Sequence, residues 1–266
     1  MHFTPVLLLV FLPWFIHAQN ITNEAFQSGE QLKYRVYYSS ALLNATAGEA
    51  VFSVEEYENP YRSQKDSITA YHVTATGTSK GLFDFFYKVR DKYESFFDKN
   101  SLLPYVFVRN TNEGGYEVHD FVVFDHEKME AKTSRKTIKI PDNTYDILSA
   151  IYFMRTMDIS DFGPDSLYLI NFYLDDSVYY SAVKFLGHDT LKMGNGFIPT
   201  IKIAPMMATG EVFAEKYPMF VWVTDDKNHI PVLASSKVIV GSVKMELTGY
   251  SHLKNPFIAV IQKRKR

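Results

Sequence analysis

The chain has 266 residues, enough for one large domain or two small ones, with 28 basic against 30 acidic residues and no cysteine. The formal charge of −2 argues against nucleic acid, which calls for a basic face, and the absence of thiols excludes disulfides, thiolate metal sites, a cysteine nucleophile and a lipidated N-terminal cysteine. Aromatic residues make up 15% of the chain, and 18 Tyr with 21 Phe suit large pleated surfaces.

Pro5 to Ile16, PVLLLVFLPWFI, is an apolar run too short to span a bilayer comfortably. His17-Ala18-Gln19 follows, with Ala18 in the small-residue position before a cut, so a secretory leader is expected over residues 1–18 and a mature start at Gln19. The rival, an uncleaved anchor, is weaker because no longer hydrophobic run follows. A cysteine-free exported chain fits a bacterial envelope better than a eukaryotic secretory route, although the sequons at Asn20 and Asn44 are compatible with the latter. The expected location is the periplasm or cell envelope of a Gram-negative bacterium, with no lipid anchor and no integral membrane segment in the mature chain. The end, Lys263 to Arg266, reads as a solvated basic tail over 257–266. One β-rich domain over 19–256 remains.

From Lys33 onward most of the chain alternates apolar and polar residues. Tyr34, Val36 and Tyr38 share a face, as do Ala50, Phe52 and Val54, and Tyr71, Val73 and Ala75 lie opposite His72, Thr74 and Thr76. Clusters of Gly, Pro, Asn and Asp separate such runs at hairpin spacing. Lys80 to Phe97 fits a short helical turn near 81–87 and then a strand from about Val89. Pro141 to Asp158 departs from period two and predicts a helix over about 143–157, with Asn143 as N-cap and Asp146 three residues on. Its apolar residues point in nearly every direction, so it must be enclosed, and the expected fold is mainly β: curved antiparallel sheet wrapped around one central buried helix. Asp98-Lys99-Asn100 and Asp226-Lys227-Asn228, each followed by a proline (Pro104, Pro231) that opens an apolar run, read as two matching hairpin tips flanking that helix.

The opening GEQLKYRVYYSSALLNATAGEAVFSV, the helix YDILSAIYFMR and the ending VWVTDDKNHIPVLASSKVIVGSVKMEL, in that order, resemble the DUF3108 family of exported bacterial proteins, with the look of a Bacteroidota member. The resemblance spans most of the mature chain. It implies compartment and fold, and supplies no catalytic residues to carry over.

Candidate chemistry is sparse. Gly77 to Gly81, GTSKG, matches the G-x-S-x-G pattern with Ser79 as nucleophile, but that elbow needs a strand, turn and helix in a parallel sheet, and a glycine-bounded turn explains it without catalysis. His119, Asp120, Asp125 and His126 divide between two faces of a strand, which disfavours a metal site. Asp175-Asp176 and Asp225-Asp226 lack calcium-loop spacing and read as solvated turns. Arg155 is the most informative residue. It either pairs inside the enclosed helix or reaches solvent past the helix end, where it would complement the carbonyl dipole. With Tyr152 it is the candidate for ligand binding. No metal or cofactor is expected. The expected function is that of an exported, non-enzymatic envelope protein whose curved sheet shelters an apolar or amphiphilic ligand such as a lipid. The alternatives are a structural protein that binds an envelope partner without a ligand and, less favoured, a serine hydrolase at Ser79.

Overall fold

Alternation of apolar and polar residues turns most of this chain into strands. The computed structural model describes residues 21–41, 44–58, 69–159, 162–194, 196–206 and 216–258; the expected leader and residues 259–266 lie outside them. The first half contains β1 (Gln31–Ser39), β2 (Asn44–Glu58), β3 (Thr69–Ser79), α1 (Gly81–Phe86), β4 (Arg90–Asp98), β5 (Pro104–Glu113) and β6 (Tyr116–Asp125). A connector follows: β7 (Glu130–Lys132), β8 (Thr137–Lys139), β9 (Thr144–Tyr145) and α2 (Ile147–Arg155). The second half runs through β10 (Leu167–Leu174), β11 (Ser177–Met193), β12 (Gly196–Pro205), β13 (Met219–Thr224), β14 (Pro231–Lys237) and β15 (Ser242–Ser251).

Among the described residues all fifteen strands form one sheet in the order β8-β7-β6-β5-β4-β3-β2-β1-β15-β14-β13-β12-β11-β10-β9. Each half is an antiparallel meander, and the two join where β1 pairs with β15, Gln31 opposite Ser251 and Ser39 opposite Ser242. The short β9 lies parallel to β10, with Thr144 opposite Asn171. Side chains bring the far ends of the sheet together. Phe107, Val122 and Phe124 from β5 and β6 pack with Tyr173 of β10, and Val178 of β11 adds to the cluster. Over this apolar seam Arg109 binds Asp120 and Asp175, and Arg135 reaches Asp120 and Asp176, each at 2.6 Å. Asp175 and Asp176 both have positive φ, as a two-residue type I′ hairpin requires. These aspartates, expected as solvated turn residues, therefore clasp the two halves.

The enclosed helix is present and shorter than expected. Thr144 and Tyr145 are drawn into β9, and the N-cap is Asp146. Its carboxylate accepts from the Leu148 and Ser149 N–H groups at 2.8 and 2.9 Å, while its own N–H donates to the Ser149 hydroxyl. Asn143 instead occupies a left-handed turn position with φ 53°. No residue of α2 is exposed. Leu148, Tyr152 and Phe153 pack among Phe26, Val73, Phe97, Leu102, Tyr145 and Ile170, contributed by both halves. The face read from β3 holds, with Tyr71, Val73 and Ala75 buried and His72, Thr74 and Thr76 half-exposed; in β1 and β2 only Tyr34 and Val54 of the expected faces are fully buried. Phe257 stacks on Tyr250 at 4.6 Å and the Ile258 N–H donates to Asp226, so the packed body runs past the expected boundary at 256.

The two Asp-Lys-Asn tips are the same device. Each hairpin carries a register shift beside its turn, at Phe96/Phe97 and at Trp222/Val223. In each, a left-handed residue stands two positions before the proline, Leu102 (φ 58°) before Pro104 and His229 (φ 42°) before Pro231. Asp98 accepts from the Asn100 and Ser101 N–H groups and from the Tyr105 hydroxyl; Asp226 accepts from the Asn228 N–H and the Thr224 hydroxyl. Both tips meet the helix. Leu102 packs in its cluster, and the Asn228 carbonyl accepts from Arg155.

Candidate binding surfaces

Arg155 is buried, 3% exposed, and its charge is matched inside the protein. The guanidinium donates to both carboxylate oxygens of the buried Glu30 at 2.6 and 2.9 Å, to the Asn228 carbonyl at 3.0 Å and to the Ala25 carbonyl at 3.3 Å. It also lies 5.5 Å from the centre of the Phe26 ring and 5.1 Å from that of Tyr152. Burial works against its charge, but the bidentate bond and attraction to Glu30 outweigh it, and its pKa rises. The Tyr152 hydroxyl is buried with no hydrogen-bond partner, and burial raises its pKa, with Glu30 adding to the rise. Neither residue lines either of the two hollows described below. They form an internal tie.

Ser79 is likewise occupied. Its hydroxyl donates to Asp84 and accepts from the Val89 N–H at 2.7 Å and from Arg90 at 3.2 Å. No histidine is among its partners. Hydrogen bonding to Arg90 and then to Ser79 lowers the Asp84 pKa to about 2. The turn into β4 is thereby fixed, with α1 held above it. The four polar groups of the 119–126 stretch part company: His119 faces Asn110, Asp120 binds two arginines, Asp125 binds Lys128, and His126 donates to the Pro104 carbonyl. Among the described residues no cluster of three or more His, Asp or Glu is suited to a metal ion.

Two hollows remain. One, of about 160 Å³, opens beside α2 between Ile21, Leu103, Tyr145, Phe153 and Tyr168. The other, of about 310 Å³, lies between the β11–β12 hairpin, the end of β15 and the C-terminal arm, lined by Met193, Ile198, Leu247, Tyr250, Phe257 and Ile258. Sites for small molecules start near 300 Å³, so of these two the second is large enough. Sequence reasoning missed it because its walls come from strands distant along the chain.

A third feature is a surface. Leu82, Phe85 and Phe86 on α1 are strongly exposed, and α1 has no buried residue. Leaving such side chains in water forgoes about 1.5–3 kcal/mol each relative to burial. The segment KGLFDFFYK announces apolarity, but its periodicity does not say whether that face is covered.

These features sit on a shared scaffold. A beta-barrel-like protein of Brucella abortus, with a domain of unknown function DUF1849, superimposes with a TM-score of 0.56 at 12% identity, covering 85% of this chain and 99% of that one. At that identity the likeness shows the fold alone. A protein of Bacteroides fragilis described as exported, with a YmcC-like fold, aligns over 88% of this chain and all of its own, also at 12% identity, but its TM-score of 0.34 carries no weight here. The chain itself belongs to the DUF3108 family of proteins of unknown function, whose model matches residues 33–248. No curated protein matches it at a significant level. No helix among the described residues is long and apolar enough to cross a membrane.

Proposed function

We propose that the protein is an exported, non-enzymatic binding protein of the cell envelope that takes an apolar or amphiphilic ligand in the hollow beside β15. The observation that carries this reading is the hollow itself, whose volume of about 310 Å³ and mainly apolar lining, Met193, Ile198, Leu247, Tyr250, Phe257 and Ile258 beside Thr248 and Gly249, suit an acyl chain more than a polar solute. Export is supported by the apolar run from Pro5 to Ile16 and the small residue before Gln19. The ligand belongs in this hollow and not in the one beside α2, which at about 160 Å³ is too small. Arg155 and Tyr152 serve the reading indirectly, by fixing the helix that supports both halves. Ser79 serves it by fixing a turn.

Titration of the mature protein with single-chain fatty acids and lysophospholipids tests the proposal. Binding is expected, and Met193→Trp, which fills the hollow from a half-buried position, weakens it tenfold or more with little change in melting temperature. If neither lipid class binds, or the filled variant binds equally well, the ligand reading is wrong. The structural alternative, an envelope protein that engages a partner without a ligand, then stands.

A further inference from the structure

A sheet whose end strands do not pair has two free edges, and here the two differ. At one end β8 is only three residues long, bordered by Lys136 and Lys139 and followed by Pro141, the ordinary guards against pairing with another chain. At the other end β9 covers β10 only at Asn171 and Phe172. Leu167 to Ile170 has β11 on one side and, among the described residues, no strand on the other. This stretch carries no charge and no proline, and Leu167 and Leu169 are exposed, the latter by 76%. The β10–β11 hairpin fixes which main-chain groups are left over. Across the two-residue turn Asp175-Asp176, Leu174 faces Ser177 as a closely bonded pair, so Phe172, Ile170 and Tyr168 exchange bonds with β11 in the same way. The Phe185 N–H, donating to the Ser166 carbonyl at 2.9 Å, continues that alternation. Asn171, Leu169 and Leu167 therefore turn their N–H and C=O groups away from β11. β9 meets Asn171, and no strand among the described residues meets Leu169 or Leu167.

Beside this edge lies the hollow next to α2. Tyr168 and Ile170, on the face of β10 that packs into the core, line it together with Phe153, Tyr145, Leu103 and Ile21, while Ser101, Asp142, Asn143 and Asn171 add polar groups. Its volume of about 160 Å³ is that of a single large side chain, since an apolar cavity of about 150 Å³ takes up one benzene ring. An open edge supplies main-chain bonds to an added strand, and a pocket beside it selects a side chain. A strand laid along Leu167 and Leu169 would turn alternate side chains toward Tyr168 and Ile170, where the hollow can hold one of them, and the rest over Leu167 and Leu169. A second copy of this edge cannot fill the hollow, because the side chains it would turn that way are its own Tyr168 and Ile170, packed in its own core. Nor can the mature chain fill it from within, because with a start at Gln19 only two residues precede Ile21.

We propose that the free edge of β10 binds an extended segment of another protein by adding it as a strand, with one phenylalanine or leucine side chain seated in the hollow beside α2. This surface is separate from the hollow beside β15. Fluorescence anisotropy of a labelled, capped eight-residue peptide, alternating phenylalanine and threonine between terminal lysines, tests the proposal on the protein beginning at Gln19. The peptide should bind saturably, and replacing its phenylalanines with alanine, or methylating its backbone nitrogens, should weaken binding at least tenfold. Amide hydrogen exchange at Leu167 and Leu169 should slow when the peptide is bound. Leu169→Pro removes an N–H that bonds nothing inside the protein, so it should weaken the peptide at least tenfold while leaving fatty-acid binding and the melting temperature nearly unchanged. The methylated peptide and the exchange measurement decide the matter without altering the protein. Absence of binding, equal binding of the methylated peptide, or exchange at Leu169 that the peptide leaves unchanged overturns the proposal. So does a wild-type dimer that Leu169→Pro converts to monomer, because the edge is then a contact between copies.

Discussion

At Asp146 a carboxylate caps a helix where water cannot reach it. Burial raises its pKa to about 6, against the resistance of the Ser95 hydroxyl and the Leu148 and Ser149 N–H groups. The ordinary value is 3.8, so between about pH 4 and pH 6 the folded protein holds a proton that the unfolded chain has released. The contribution of this group to stability is therefore greatest below pH 4, is lost as the pH rises through 6, and then stays constant. Asp146→Asn keeps the cap acceptor and removes the charge. Urea denaturation of both proteins from pH 4 to 7.5 should show the wild type losing on the order of 2–3 kcal/mol relative to the variant over that window. Parallel curves would mean that the carboxyl is ionised throughout.

The hairpin tips belong to the next scale, where a residue matters through the element it closes. Lys99 pairs with Glu56 at 2.8 Å and Lys227 with Glu24 at 2.8 Å, both at the surface, so Lys99→Ala and Lys227→Ala should change stability by no more than about 0.5 kcal/mol. Asp98 and Asp226 hold the left-handed turn and its register shift, and either replaced by Ala should cost about 1–3 kcal/mol in thermal or urea unfolding. Equal costs for lysine and aspartate would show that the tips are not closed in this way. The tips were legible in the sequence because a turn is made by neighbours: Asp, Asn and Pro at short spacing reveal it. The strands and α2 were legible for the same reason, since a local period of two or its interruption suffices. The start of α2 was not, because Asn143 and Asp146 are both good caps, and the choice between them was made by Ser149 and by the pairing of β9 with β10. Nor was α1 fully legible, since its pattern reports apolar side chains and is silent on what lies above them.

Across the whole molecule, Glu30 and Arg155 join what the chain separates. The pair links the segment before β1, the end of α2 and the tip between β13 and β14, and no window of sequence contains both residues. Arg155→Met leaves a carboxylate buried without its partner and should cost about 3–5 kcal/mol, whereas adding Glu30→Leu should recover most of the loss. Urea unfolding of the single and double variants measures this; a double variant no more stable than the single would show that the carbonyl bonds of Arg155, and not the ion pair, are what count. The adjacency of β1 and β15 was equally hidden, because pairing between distant strands leaves no local mark. It also sets an order of events. On the ribosome β1 emerges about two hundred residues before β15 and waits, one long ladder of its hydrogen bonds unfilled, until synthesis is nearly finished. At about 5–20 residues per second the wait lasts on the order of ten seconds or more. Throughout it the nascent first half presents an open strand edge to every other chain nearby. A chaperone that shields that edge during synthesis would matter more to the yield of this protein than any further gain in its final stability.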